Sequence, residues 1–265
     1  MKAYTLSKDL LESRWCKSPI NEDAVIATPN YIAVSDGAGG GGVFADKWSQ
    51  YLVDHLPDEA ITDYAAFDNW IDSIWEPFYN EYEEIAKKVD GMLLNKFYDE
   101  GSFATLVVVW KDGRWISYGD SVAFCYNNET GKLQHTFGGI MEFDNPPYLI
   151  NCAGPTEENG FHAGKFDIGE DCIVFAASDA LAHYILMMYE VAHKDWYGHE
   201  LLIAADAYTK NSSLIKAAMS LKHKNFETAL MQFLEVKHKG HFKQHLKKLY
   251  RSGLLSLDDY SLAIL

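Results

Sequence analysis

The chain has few of the features that mark secreted, membrane-spanning or disulfide-linked proteins. Only four of its 265 residues are cysteines, and no two of them have the spacing of a zinc knuckle or a redox pair. No apolar run approaches the length needed to cross a bilayer, and residues 1–15 lack the uninterrupted apolar core of a signal peptide. These absences predict a cytoplasmic protein with no membrane partner.

Basic residues are also scarce. Lys and Arg number 23 against 38 Asp and Glu, which gives a formal net charge of −15. Because a phosphate backbone requires a basic surface, this balance argues against a nucleic-acid partner. A cluster of carboxylates would instead concentrate cations around the protein.

The sequence contains no low-complexity linker and no internal repeat. A chain of 265 residues, 48% of them hydrophobic, can bury a core without disulfides or a structural metal. We therefore expect one domain over residues 1–265.

The apolar pattern indicates blocks of strands followed by blocks of helices. Strands are predicted at 24–27 and 31–34 as a hairpin, at 103–110, 114–118, 122–126 and 133–137 as a meander, and at 172–177 and 260–265. Helices are predicted at 43–56, over most of 59–99 with Pro77 as a break or start, at 180–192 and over 197–252. Because strands and helices do not alternate one by one, the expected fold class is α+β, with largely antiparallel sheets and segregated helices.

Acidic residues stand at the ends of these predicted strands. They are Glu22, Asp23, Asp36, Asp120, Asp179, Asp258 and Asp259. Carboxylates that converge on one cleft repel one another unless a cation lies between them. An all-oxygen ligand set suits hard ions such as Mg²⁺ or Mn²⁺. The alternative is that each residue simply ends a strand and starts a turn.

A run of glycines at 37–42 precedes a predicted helix, which is also the arrangement of a phosphate cradle. The run lacks the lysine of a P-loop and the full spacing of a dinucleotide-binding turn. Nucleotide binding is therefore the weaker interpretation of this segment.

Six short blocks, five of which contain these acidic residues, follow one another along the chain. They are Asn21-Glu22-Asp23, Asp36-Gly37-Ala38-Gly39-Gly40, Gly101-Ser102-Phe103-Ala104-Thr105, Gly119-Asp120-Ser121, Ser178-Asp179-Ala180-Leu181 and Asp258-Asp259-Tyr260-Ser261-Leu262. In this order they resemble the metal-dependent protein serine/threonine phosphatases of type 2C, the PPM phosphatases, over residues 14–265. The resemblance implies two stacked, mainly antiparallel sheets flanked by helices. It also implies an atypical flap-like segment at about 138–170.

The resemblance implies a set of metal ligands. Asp36 would bridge two ions, Mn²⁺ or Mg²⁺, with the Gly37 carbonyl on one of them and Asp179 and Asp258 on the other. Asp120 would hold a third, weaker ion.

Two further residues, Glu22 and Asp23, are implied to hold coordinated water around the ions. The implied reaction is hydrolysis of phosphoserine or phosphothreonine in a phosphoprotein substrate, by attack of a metal-bridging water without a phosphoenzyme. Asp36, Asp179 and Asp258 would be the catalytic residues. The oligomeric state is not indicated.

Several positions depart from the family pattern. Ser18 stands where the family carries a phosphate-binding arginine, so Arg14 or Lys17 is expected to bind the substrate phosphate. Ala38 replaces a residue that is His or Met in many relatives, and Ala180 replaces a glycine. The departures favour an alternative, a catalytically weak pseudophosphatase that acts as a regulatory protein-binding module. Retention of all three catalytic aspartates favours the enzyme.

Overall fold

The structure is a computed structural model that describes residues 1–12, 18–40, 42–222 and 225–265. Its strands are β1 (Lys2–Leu6), β2 (Ala24–Ala27), β3 (Tyr31–Ser35), β4 (Phe103–Ala104), β5 (Leu106–Trp110), β6 (Arg114–Tyr118), β7 (Val122–Asn127), β8 (Leu133–His135), β9 (Ile150–Asn151), β10 (Phe161–Lys165), β11 (Cys172–Ala177) and β12 (Tyr260–Ile264). Its α-helices are α1 (Asp9–Glu12), α2 (Ala45–Asp54), α3 (Tyr64–Val89), α4 (Gly91–Glu100), α5 (Asp179–Ala192), α6 (Lys194–Asp206), α7 (Ser212–Met219), α8 (Phe226–Leu234) and α9 (Lys239–Arg251). Among these described residues, no helix is both long enough and apolar enough to cross a membrane.

The strands form two five-stranded sheets and one short pair. The first sheet has the order β1-β12-β11-β7-β8, the second has the order β10-β6-β5-β3-β2, and β4 pairs with β9. Every pairing is antiparallel. The predicted α+β class with antiparallel sheets is therefore confirmed.

The two sheets stack face to face, and each covers its outer face with helices. Small and β-branched side chains such as Val34, Val107 and Val174 fill the layer between the sheets. The outer face of the first sheet, with Phe175, packs against α5 to α9. The outer face of the second sheet packs against α2 to α4, where Trp48 is fully buried. Both faces of the central strands are thus buried, which explains why these strands are continuously apolar in sequence.

The structure corrects two predictions about the chain. The four strands expected as one meander form two hairpins in different sheets, β5–β6 in the second and β7–β8 in the first. Gly119, at a φ of 96°, lies in the short connection that carries the chain from one sheet to the other. Pro77 neither breaks nor starts a helix, because α3 continues through it. The neighbouring Phe78 packs on Trp48 at 4.7 Å between ring centroids, so burial outweighs the lost backbone hydrogen bond.

The segment at about 138–170 is tied to the helices of the first sheet. It contains two 3-10 helices, at Ile140–Asp144 and Glu158–Gly160, in addition to β9 and β10. The Ile140 amide donates to Oε1 of Glu190 on α5 at 3.1 Å. Glu190 is 3% exposed, and burial raises the pKa of its carboxyl to about 7. A protonated Glu190 therefore suits this junction best.

This junction predicts a pH dependence of stability. Because the folded-state pKa of Glu190 is raised from 4.5 to about 7, its stabilising effect is complete below pH 4.5 and is lost as the pH rises through 7. Glu190→Gln keeps an acceptor for the Ile140 amide and cannot ionise. We expect the variant to lose less free energy of unfolding than the wild type between about pH 5 and pH 8, by roughly 2 kcal/mol.

Urea denaturation at the two pH values measures this difference. Glu170→Gln, at an exposed position, is the matched control and should follow the wild type. Equal pH slopes for Glu190→Gln and the wild type would contradict the prediction.

Candidate functional site

The strand register brings five acidic residues to one end of the sandwich. In the second sheet, Ala24 faces Ser35 and Leu106 faces Tyr118, so the chain before β2, after β3 and after β6 lies at the same end. In the first sheet, Ala177 faces both Val122 and Leu262. The start of β7, the end of β11 and the start of β12 therefore also lie at one end. The residues placed there are Asp23, Asp36, Asp120, Asp179 and Asp258.

The backbone of Asp36 is fixed by a side-chain and backbone network with Thr105. The Thr105 amide donates to the Asp36 carbonyl at 2.8 Å, and the Asp36 amide donates to the Thr105 hydroxyl at 3.3 Å. That hydroxyl also bonds to the Ser121 hydroxyl at 2.8 Å, one residue after Asp120. Two of the sequence blocks therefore act together to hold both aspartates.

Glycines after Asp36 let the chain pass close to Glu22. A Cβ at Gly37 would lie 2.6 Å from the Glu22 carbonyl oxygen and 2.7 Å from the Ala45 carbonyl oxygen, both of which are backbone atoms. A Cβ at Gly39 would overlap the Glu22 carboxylate, which forms an ion pair with Lys8 at 2.9 Å. The Gly37 amide donates to the Glu22 carbonyl at 3.1 Å. Only glycine at both positions permits this arrangement without displacement of a neighbour.

The adjacent residue Asp259 binds backbone amides, and its charge also raises the pKa of Asp23. It is 3% exposed, and its two carboxylate oxygens accept from the Lys8 and Glu22 amides, each at 2.7 Å. Asp259 thereby joins the start of β12 to the turn after β1 and to the Asn21-Glu22-Asp23 block. The charge of Asp179 acts on Asp258, which places Asp258 beside the cluster.

Four of these carboxyl groups, those of Asp23, Asp36, Asp120 and Asp258, have a raised pKa. Burial raises the pKa of Asp36 well above its usual value, and the charges of Asp23, Asp179, Asp120 and Asp258 raise it further. Burial, with charges from neighbouring aspartates, also raises the pKa of Asp23 to about 8, of Asp120 to about 7 and of Asp258 to about 6. The side chains are therefore close enough to interact strongly, and their negative charge exceeds the positive charge near them.

The donor set consists of carboxylate oxygens, which suits hard divalent cations. Among the described residues, neither oxygen of buried Asp23 has a hydrogen-bond partner, although the Ser178 and Ser261 hydroxyls lie near enough to lower its pKa. Asp179 accepts from its own neighbour, the Ala180 amide, and Asp258 accepts from the Asp259 amide at 3.0 Å. Consistent with this, no three His, Cys, Asp or Glu side chains of the described residues are grouped so that they hold one ion as they stand. Rotation of Asp179 and Asp258 away from these amides would direct their oxygens to an ion.

Four other residues were predicted for the site, and the structure describes two of them, Glu22 and Gly37. Glu22 is next to the cluster, but its carboxylate is paired with Lys8. The Gly37 carbonyl accepts from the Gly39 amide at 3.2 Å. Arg14 and Lys17 lie outside the described residues, so their role stays a prediction.

The sequence analysis missed two residues at this end of the sandwich. Lys8 lies after β1, a strand that was not predicted, and Lys210 lies in the connection between α6 and α7. The Lys8 charge lowers the pKa of Asp258, and the Lys210 charge lowers that of Asp120. Neither lysine belongs to a recognisable sequence block, so no local signal indicates its position.

A groove of about 440 Å³ opens beside Asp120. Its walls include Phe137, Glu142, Pro146, Pro147, Tyr148 and His162, all from the segment at about 138–170 or its approach. The groove is within the size range of ligand sites in proteins. Asp120 is the member of the aspartate cluster that lines it.

No protein-family model and no curated protein sequence matches the chain. Among solved structures, it is similar to the catalytic domain of the serine/threonine protein phosphatase PstP in complex with two manganese ions, at 13% identity over 99% of this chain and 95% of that chain, with a TM-score of 0.49. It is also similar to the phosphatase Stp1 from Staphylococcus aureus, at 12% identity over 99% and 92% of the chains and a TM-score of 0.48. The PPM phosphatase MsPP from Mycobacterium smegmatis is similar at 13% identity over 99% and 96%, with a TM-score of 0.47.

These solved structures are of the type that the sequence blocks resemble. At such identities and TM-scores, the similarity carries no inference about what this chain does. The function has to follow from the site.

The glycines beside Asp36 provide a test of the site's construction. Gly37→Ala should lower the free energy of unfolding by about 1–3 kcal/mol, because its Cβ meets two backbone carbonyls that cannot move independently. Gly39→Ala should cost less, since the Glu22 side chain can swing aside. Gly40→Ala is the matched control, because nothing lies within 4 Å of its Cβ position.

Denaturant unfolding of the three variants measures this order. A loss for Gly40→Ala as large as that for Gly37→Ala would contradict the close approach as its cause.

Proposed function

We propose that the protein is a metal-dependent phosphomonoester hydrolase that acts on phosphoserine and phosphothreonine in proteins. The observation that carries the proposal is the convergence of five aspartates, from strands far apart in the sequence, at one open end of two stacked sheets. A cluster of this charge is stable only with protons or cations among the carboxylates. All-oxygen coordination favours Mn²⁺ or Mg²⁺.

Each acidic residue of the site has its own role in this proposal. Asp36 interacts with all four other aspartates, so it is the residue suited to bridge two ions, with Asp179 and Asp258 approaching from the first sheet. Buried Asp23 and its sequence neighbour Glu22 would orient water around the ions. Bound divalent ions would lower the pKa of the attacking water and offset the charge of the phosphoryl oxygens.

The groove beside Asp120 supports a protein substrate. It runs between Phe137, Tyr148 and the Pro146-Pro147 pair, which offer apolar walls to residues that flank a phosphorylated side chain. A small free phosphate ester would leave most of this groove uncovered.

A regulatory protein-binding module is the second candidate. Carboxylate oxygens of Asp179 and Asp258 accept hydrogen bonds from the Ala180 and Asp259 amides. A protein that only binds a partner can keep this arrangement permanently. Metal-dependent turnover separates the two candidates.

Substitution of the bridging aspartate tests the hydrolase. With Mn²⁺ and a phosphoserine peptide or an aryl phosphate, Asp36→Asn should reduce turnover by about 100-fold or more, because the bridging position loses its charge. Asp171→Asn, at an exposed position, should match the wild type. Excess EDTA should abolish wild-type turnover, whereas turnover that survives EDTA or Asp36→Asn would refute the proposal.

Asp120 is proposed to hold a third ion more weakly than the main pair. Asp120→Asn should fold normally, keep measurable turnover and raise the Mn²⁺ concentration for half-maximal rate by about 10-fold. A titration of rate against Mn²⁺ measures this shift. If the midpoint does not move, Asp120 serves only the turn between the two sheets.

A further inference from the structure

The connection between α6 and α7, residues 207–211, brings a lysine to the aspartate cluster. Lys210 lines a cavity of about 10 Å³ together with Asp179, Ala180, His183 and Asn211. Its charge also lowers the pKa of Asp120, so Lys210 lies near both aspartates, the one that follows β6 and the one that follows β11. This position is at the same end of the sandwich as Asp36.

The backbone on both sides of Lys210 is held in place. The Asn211 side chain donates to the Asp144 carboxylate at 3.0 Å, which ties the connection to the segment that forms the groove. The Ser212 hydroxyl accepts from the Thr209 amide at 3.1 Å and donates to the Ala204 carbonyl at 2.9 Å. The connection is thereby anchored to both α6 and the groove, while the Lys210 residue itself is exposed.

Lys210 differs from the other lysine at the site. The Lys8 ammonium is committed to Glu22 at 2.9 Å. Within the described residues, Lys210 forms no ion pair with any carboxylate. Its charge is therefore available to a ligand that enters from solvent.

Buried His183 supplies a second polar group at the same cavity. It is 4% exposed, and its Nε2 has no hydrogen-bond partner in the described part of the chain. Burial and the Lys210 charge lower the pKa of His183 to about 4, so the ring is neutral. A cavity of about 10 Å³ admits one water molecule, which would satisfy Nε2 and face the ammonium.

We propose that Lys210 is a substrate-binding residue whose ammonium contacts the phosphoryl oxygens of a phosphomonoester dianion on the Asp179 side of the site. The proposal rests on the hydrolase function and adds to it a residue outside every recognised sequence block. Five aspartates repel a dianion, and a free ammonium beside them reduces that repulsion without consuming a carboxylate. An exposed lysine on an anchored backbone can follow the phosphoryl group as it enters.

Binding of inorganic phosphate tests the proposal independently of turnover. Calorimetry on the Mn²⁺-loaded full chain would compare wild type, Lys210→Gln and Lys210→Arg. We expect Lys210→Gln to weaken phosphate binding roughly 10-fold, and Lys210→Arg to restore most of it, because a charge-assisted hydrogen bond is lost and then replaced. In steady-state kinetics with an aryl phosphate, Lys210→Gln should raise KM more than it lowers kcat.

Lys216→Gln is the matched control. Lys216 lies six residues further on, near the same connection, and pairs with Asp206 at 3.6 Å. It should bind phosphate as the wild type does.

Separate results would overturn the two proposals. Unchanged phosphate affinity in Lys210→Gln, or absence of phosphate binding by the wild type, would refute the role of Lys210. A change in Mn²⁺ affinity alone would also refute it, because the ammonium would then serve only the aspartates. A wild type that binds Mn²⁺ and phosphate through Lys210 but shows no turnover would refute the hydrolase function and leave the phosphate contact established.

Discussion

Repulsion among five carboxylates at one end of the sandwich is the constraint on which the rest of the site depends. Asp23, Asp36, Asp120 and Asp258 all have raised pKa values, with burial as the largest cause and neighbouring aspartates as the next. Such a cluster costs stability unless something positive enters it. The antiparallel register forces the aspartates together, and the packed layers on both sides of the sheets offset the cost.

Support for this cluster comes from residues that never face it. Asp259 holds two backbone amides, and Thr105 fixes the backbone of Asp36. Gly37 lets the loop approach the Glu22 carbonyl. These contacts fix the main chain that carries the carboxylates.

The sequence predicted most of the regular structure, and the reasons for the misses are physical. Strands such as β5 and β11 are continuously apolar because both faces are buried, and that pattern is local. The partition of the meander between two sheets is not local, because it depends on the turn at Gly119 and on which partner each hairpin meets. Pro77 was misjudged because helix propensity is a weak effect beside the burial of Phe78 against Trp48. β1 was missed because its pairing partner, β12, lies more than 250 residues away along the chain.

For the site, the order of the sequence blocks by itself determined the candidates Asp36, Asp120, Asp179 and Asp258, since each of these aspartates belongs to a block at the end of a predicted strand. Only the tertiary structure decided that Asp258 lies beside the cluster while its neighbour Asp259 accepts hydrogen bonds from two backbone amides. It also decided that Lys8 is paired and that Lys210 is free among the described residues. Sequence specifies which groups are present and their local conformation. Which charges meet depends on the packing of elements distant in the chain, and in this protein that packing brings a lysine from a helix connection to the ends of the strands.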